Sequence, residues 1–439
     1  MIHPIVLFVL ILIVFFYGPQ LGAQDKTFRQ WNQLQPSGIT ENKEPQFNFL
    51  RPPSVVWQQK LGPGHSMVLV DNNGFGFCHY LLRTDEVVRK FSLETGKTSW
   101  EKKIPVRYQA FNSEYAGPHA TPAMVGNVII VVSIDAQVTA VDVETGATLW
   151  NRDLCTDFGT KLPQSGYASS PMIGDGLVFI PTLGQSQPSE TETYVPIAQR
   201  DSSKSPPGMI AVELETGRLV WKSNSFRSSH ASPILVEIGG YPTIVIHGMF
   251  ELIGLDPKTG RIVWTQLLRR QAADNVSFTP VWDAKNRQFL LTHGYCENGT
   301  QAVAVSRDPS GNWNAKVNWM NRQLKSVHTN GLIQNGIFMA INREPATLLV
   351  GIDAATGTTL FRQRGFGKGN LVQLGENLML MNEDGNLIFG QIGNQKFTKS
   401  WKVKALDANA WTIPTVTRGD VLLRDSNSLK RFQFQKRLP

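Results

Sequence analysis

Five segments of this 439-residue chain end alike: SLETGKTSW (92–100), DVETGATLW (142–150), ELETGRLVW (213–221), DPKTGRIVW (256–264) and DAATGTTLF (353–361). In each, an aromatic residue stands five positions after the Thr of a Thr-Gly pair. A short apolar strand runs into each turn, as in VTAVDV (138–143), MIAVEL (209–214) and LIGLDP (252–257). Alternating residues make a strand, an acidic residue with Thr-Gly makes a tight turn, and the returning strand brings a large aromatic. Gly supplies the positive φ that other residues resist. An indole repeated once per unit reads as a packing peg between neighbouring units, because it buries a large apolar area.

Pegs, clear or degenerate, fall at Trp57, Trp100, Trp150, Trp221, Trp264, Trp319, Phe361 and Trp401, which makes eight units of roughly fifty residues. A second pattern lies earlier in each unit: a small residue, Pro, an apolar strand, a turn and a second apolar strand. It recurs in ATPAMVGNVIIVV (120–132), SSPMIGDGLVFI (169–180), ASPILVEIGGYPTIVI (231–246), FTPVWDAKNRQFLLT (278–292) and TIPTVTRGDVLLRD (412–425). Four short strands per unit at this period predict an all-β, eight-bladed β-propeller of four-stranded blades. The first peg strand, VVWQQKL (55–61), lacks the rest of its unit, and the last unit (412–435) lacks its peg strand. The N- and C-terminal strands are therefore expected to complete one blade and close the ring, which leaves no open edge.

The propeller is expected over 55–435, with 184–208, rich in Ser, Gln, Glu and Pro, as an inserted surface loop. Residues 24–54 form an N-terminal extension. Ile5 to Tyr17 is an apolar run too short for an ordinary membrane span, followed by Gly22 and Ala23. That pattern predicts a signal peptide over 1–23 and export to the periplasm or extracellular space, with no transmembrane span in the mature chain. An uncleaved N-terminal anchor is the alternative, since only His3 precedes the apolar run.

Composition narrows the function classes. The charge of +8 is mild for this length, and there is no dense basic stripe, so no nucleic-acid partner is expected. The closing basic residues Lys430, Arg431, Lys436 and Arg437 read as a solvated end. Three widely spaced cysteines, Cys78, Cys155 and Cys296, form no metal or redox signature and read as buried free thiols. No phosphate loop, zinc-protease motif or nucleophile elbow is present.

The Thr-Gly–Trp units resemble the pyrroloquinoline quinone (PQQ) repeat family across roughly 55–435. That family includes PQQ-dependent alcohol dehydrogenases and also cofactor-free propellers, one of them an assembly factor of the bacterial outer membrane that binds other proteins. A quinoprotein of the family would bring an adjacent Cys pair and calcium ligands, and this chain has no adjacent cysteines. The resemblance therefore implies an exported protein-binding or scaffolding propeller that takes no cofactor, with another protein or a cell-envelope component as partner. The alternative is a PQQ- and calcium-dependent alcohol dehydrogenase.

One constellation stands apart from the turns. The position three before the Pro of each unit, or its equivalent, holds His65, His119, Ala168, His230, Ser277, His328, Lys368 and Trp411. In a propeller the first strand of each blade lines the axis, so these residues are expected around the channel mouth. Two readings stay open. In one, His65, His119, His230, His328, Lys368 and Trp411 form a binding ring for an anion, a metal or an acidic peptide, since imidazole switches charge near neutral pH or coordinates metal. In the other, each His bonds a nearby backbone carbonyl and only shapes the chain.

Overall fold

Asp142 shows why the Thr-Gly turn recurs. Its Oδ1 accepts from the backbone N–H of Glu144 at 3.0 Å, the N–H of Thr145 at 2.7 Å and the Thr145 hydroxyl at 2.7 Å. Gly146 then takes φ +73°, where a Cβ would strike Trp100 of the preceding blade. Asp256 and Asp353 cap their turns in the same way. In all eight blades a one-residue bulge lies at the peg, as between Ala140 and Val141 opposite Trp150. Such bulges add local twist.

The computed structural model describes residues 48–107, 115–182, 193–200, 205–271 and 276–435, apart from 328, 330, 344, 394 and 418. Among these, the strands form eight antiparallel sheets of four, an eight-bladed β-propeller. Blade 1 comprises Leu69–Val70, Phe75–Leu82, Asp85–Ser92 and Thr98–Pro105. Blades 2 to 7 follow at 123–153, 172–222, 234–267, 281–321, 332–363 and 369–404. Blade 8 takes three strands from the C-terminal end, Thr415–Thr417, Asp420–Arg424 and Ser428–Gln433, and its outer strand, Ser54–Lys60, from the N-terminal end. Ser54 faces Gln433 and Lys60 faces Ser428 across that pairing. The expected signal peptide and most of the N-terminal extension lie outside the described residues. So does most of the 184–208 insertion, but its return limb docks on blade 4. Thr193 bridges to Gln271, the Tyr194 N–H donates to the Arg270 carbonyl at 2.8 Å, and Arg200 pairs with Glu251 at 3.6 Å.

Blades adhere through two layers. Apolar side chains of adjacent sheets share cores; one such core joins Ile130, Val138 and Ala140 of blade 2 to Ile173, Val178 and Ile210 of blade 3. At the rim, each indole N–H reaches a carbonyl in the next blade: Trp57 to Leu93, Trp100 to Val143, Trp150 to Leu214, Trp221 to Pro257 and Trp319 to Ala354, at 2.8–3.1 Å. Each of these acceptors stands at a Thr-Gly turn.

Where the next blade lacks that turn, the pattern breaks. Blade 5 closes its outer hairpin through 308–312, and Trp264 Nε1 on blade 4 is buried with no partner among the described residues. Blade 6 carries Phe361 instead, which has no N–H to satisfy. Trp401 of blade 7 donates to the Phe49 carbonyl at 2.9 Å.

Two expectations need correction. Lys430 and Arg431 do not form a solvated end. Lys430 is buried and pairs with Asp407 at 3.2 Å, and Arg431 pairs with Asp420 at 3.0 Å, because their strand is an interior member of blade 8. Lys436 and Arg437 lie outside the described residues. Of the three free thiols only Cys78 is fully buried; Cys155 and Cys296 sit in connecting segments and are half-exposed.

Candidate functional site

From blade 1 to blade 5, the approach to the first strand is held by a relay of hydroxyls two residues past the ring position. The Met67 N–H donates to Thr121 Oγ1, the Thr121 N–H to Ser170 Oγ and the Ser170 N–H to Ser232 Oγ, each at 3.0 Å. The Ser232 N–H continues to Thr279 Oγ1 at 3.1 Å. Buried backbone N–H groups need acceptors, and here a Ser or Thr of the next blade supplies each one. His65, His119, Ala168, His230, Ser277 and Trp411 are half-buried, while the residue after each of them is buried. The ring residues are thus partly exposed while the chain behind them is tied down.

The structure brings His65, His119, Lys368 and Trp411 together from four consecutive blades. His65 stacks on Trp411 with centroids 5.2 Å apart and planes at 27°, and meets His119 edge-on at 5.0 Å. Lys368 Nζ lies 4.5 Å from the Trp411 ring centroid and pairs with Glu383 at 3.6 Å. The His230 backbone N–H donates to the Val276 carbonyl at 2.9 Å, while its Nδ1 is buried with no partner among the described residues. His328 lies outside the described residues.

Sequence reasoning missed Tyr115 and Glu383. Tyr115 lies 5.7 Å from the Trp411 ring and 6.3 Å from that of His119. It stands in the connection between blades 1 and 2, which has no repeat pattern, so no register pointed to it. His119 Nε2 bonds the Tyr115 carbonyl at 3.0 Å, the backbone contact foreseen by the second of the two readings.

Burial holds the His119 imidazole down at about 4, with the Tyr115 carbonyl pulling the other way. Burial, helped by repulsion from His119, holds His230 at about 4. Neither of these two rings switches charge near neutral pH, contrary to what an ordinary imidazole would do, because desolvation penalises the cation. The cluster therefore sets the neutral His119 ring beside Tyr115, in the same group as Trp411 and the Lys368–Glu383 pair. No group of three or more His, Cys, Asp or Glu placed to hold a metal occurs among the described residues.

The family model described as outer membrane protein assembly factor BamB matches residues 53–193 and 202–388. The chain belongs to this family. The match breaks inside the insertion and ends in blade 7, yet this BamB-family propeller continues through blade 8. BamB from Moraxella catarrhalis superposes with a TM-score of 0.56 at 14% identity, covering 89% of this chain and 100% of that one. The computationally designed Ika8 protein gives a TM-score of 0.56 at 10% identity, covering 87% and 98%. At such identities the likeness concerns the fold. A europium-containing methanol dehydrogenase reaches a TM-score of only 0.46 at 12% identity, covering 90% and 95%, too loose to argue from. No curated protein sequence matches the chain. Among the described residues no helix is long and apolar enough to cross a membrane.

Proposed function

We propose that this BamB-family propeller is a binding or scaffolding protein of the cell envelope, holding another protein at the face that contains the channel mouth. The match to the outer-membrane assembly-factor model over most of the chain carries this reading. The site supports it. The mouth offers half-buried aromatic rings on rigid, blade-anchored backbone, the kind of surface that gives binding energy at low entropic cost.

The residues at the mouth do not fit PQQ with calcium. Calcium takes six to eight oxygen ligands, several of them carboxylates. The mouth supplies imidazole, indole and phenol, and Glu383 is engaged by Lys368. The reading therefore includes no cofactor.

The test is affinity capture from native envelope using the intact protein and a His119→Ala, Trp411→Ala double variant. A specific protein retained by the parent and lost from the variant, at matched melting temperature, is the expected result. Equal retention would remove the mouth from the binding surface. A bound chromophore and dye-linked alcohol oxidation on adding PQQ and Ca²⁺ would replace the reading with a dehydrogenase.

A further inference from the structure

The outer strand of blade 7, Lys396–Lys404, carries four lysines and no acidic residue. No other outer strand carries more than two basic residues. Lys396, Lys399 and Lys402 are exposed, and their side chains join no ion pair or hydrogen bond among the described residues. Lys404 instead donates to the Asp384 carbonyl. Gln363 ties the outer strand of blade 6 to this one. Its Nε2 donates to the Phe397 carbonyl at 2.9 Å, and its Oε1 accepts the Phe397 N–H at 3.1 Å. Arg362 and Arg364, the exposed residues on either side of Gln363, therefore border the lysine strand. The two basic segments meet only in the fold.

Apolar side chains stand beside this charge. Trp401, on the lysine strand, donates to the Phe49 carbonyl at 2.9 Å, and the Phe49 ring stacks on Phe389 with centroids 5.5 Å apart. With its neighbour fixed in this way, Leu50 is 84% exposed. Val55 and Val56, a few residues on in the outer strand of blade 8, are exposed too. In a four-stranded blade, the turn between the third and fourth strands lies opposite the end from which the first strand starts. Leu50, Lys396 and Lys399 thus lie toward the Thr-Gly end of the ring, away from the mouth.

We propose that the outer rim of blades 6 to 8 is a docking surface for an anionic lipid bilayer. Lys396, Lys399, Lys402, Arg362 and Arg364 meet the headgroups, and Leu50 enters the interface. Binding of this kind adds electrostatic attraction to the burial of a small apolar area. Lysine is a strongly hydrated point charge and is depleted from protein–protein interfaces, so a lysine cluster suits a diffuse negative surface better than a protein partner. Lysine also guards an open edge against strand pairing. The other outer strands manage with two or fewer basic residues, and that role has no use for an exposed leucine. The surface uses no residue of the mouth, so lipid binding at the rim and protein capture at the mouth succeed or fail separately.

The experiment floats the full chain with vesicles of phosphatidylcholine alone, or of phosphatidylcholine mixed with phosphatidylglycerol, over a range of salt. Binding is expected only to the anionic vesicles and should weaken as salt rises. A Lys396→Gln, Lys399→Gln, Lys402→Gln variant with an unchanged melt should bind at least about tenfold more weakly. A control with Lys103→Gln, Lys222→Gln and Lys316→Gln removes the same charge from exposed positions on the outer strands of blades 1, 3 and 5. It should bind within about twofold of the parent. Equal binding to the two kinds of vesicle, or equal loss from the two triple variants, would overturn the proposal. Capture of polyglutamate in place of the anionic vesicles would overturn it in favour of an acidic protein.

Discussion

The Arg424 guanidinium donates to the His79 carbonyl at 2.6 Å, across the seam where the last blade meets the first. The same buried side chain reaches the carbonyls of Gly62 at 3.1 Å and Ser66 at 3.4 Å. Burial lowers it to about 10, still far above neutrality, so it remains a cation held by backbone dipoles. The seam thus has a clasp in addition to its shared sheet.

Arg424→Met should keep most of the apolar volume but leave three carbonyls, two of them in buried bonds, without this donor. The expected loss is about 2–4 kcal/mol of unfolding free energy, read from denaturant melts. A loss under about 0.5 kcal/mol would show that solvent replaces the clasp without cost.

The pegs offer a paired test. Trp150 donates to the Leu214 carbonyl at 2.8 Å, whereas Trp264 Nε1 has no acceptor among the described residues. Trp150→Phe should therefore cost about 1 kcal/mol more than Trp264→Phe, since only the first removes a hydrogen bond. Equal costs would mean that the indoles act through packed area alone.

Acid stability depends on the mouth histidines. In the unfolded chain an imidazole titrates near about 6.5, and in the fold His119 and His230 are held at about 4. Between these values the unfolded chain binds protons that the native rings refuse. Their contribution is complete above pH ~6.5 and is lost as pH falls toward 4. A His119→Asn, His230→Asn double variant should show a flatter dependence of melting temperature on pH across that window. Parallel curves for parent and variant would refute this.

Removing residues 1–60 deletes the outer strand of blade 8 and the Trp57 peg. The strand Ser428–Gln433 then becomes an open edge. The truncated chain is expected to aggregate at concentrations where the full chain stays monodisperse in light scattering, because a bare edge pairs with other chains. A monodisperse truncation would mean that the rest of the ring closes without its shared blade.

The blade repeat was readable because five of the eight units write the same local chemistry: an Asp, Glu or Ser before the turn, Thr-Gly in it and an aromatic five residues on. Counting aromatics reached eight, and the incomplete units at the two ends announced the shared blade. The His register was readable for the same reason, being a fixed offset from the Pro before each first strand. Its chemistry was not: the sequence shows a His at 119 but not the burial that keeps it neutral, nor Tyr115 beside it. Lys430 misled because nothing local distinguishes an interior strand of blade 8 from a solvated tail.

The sequence by itself determined the unit, its number and its joining strands, since these rest on contacts a few residues apart and on one repeated peg. Only the tertiary structure decided the Arg424 clasp and the His65–Trp411 stack. Arg424 and His79, like His65 and Trp411, stand some 345 residues apart in sequence. They meet because eight wedges close a full circle, and the angle of each wedge is set by packing between sheets that no single unit records.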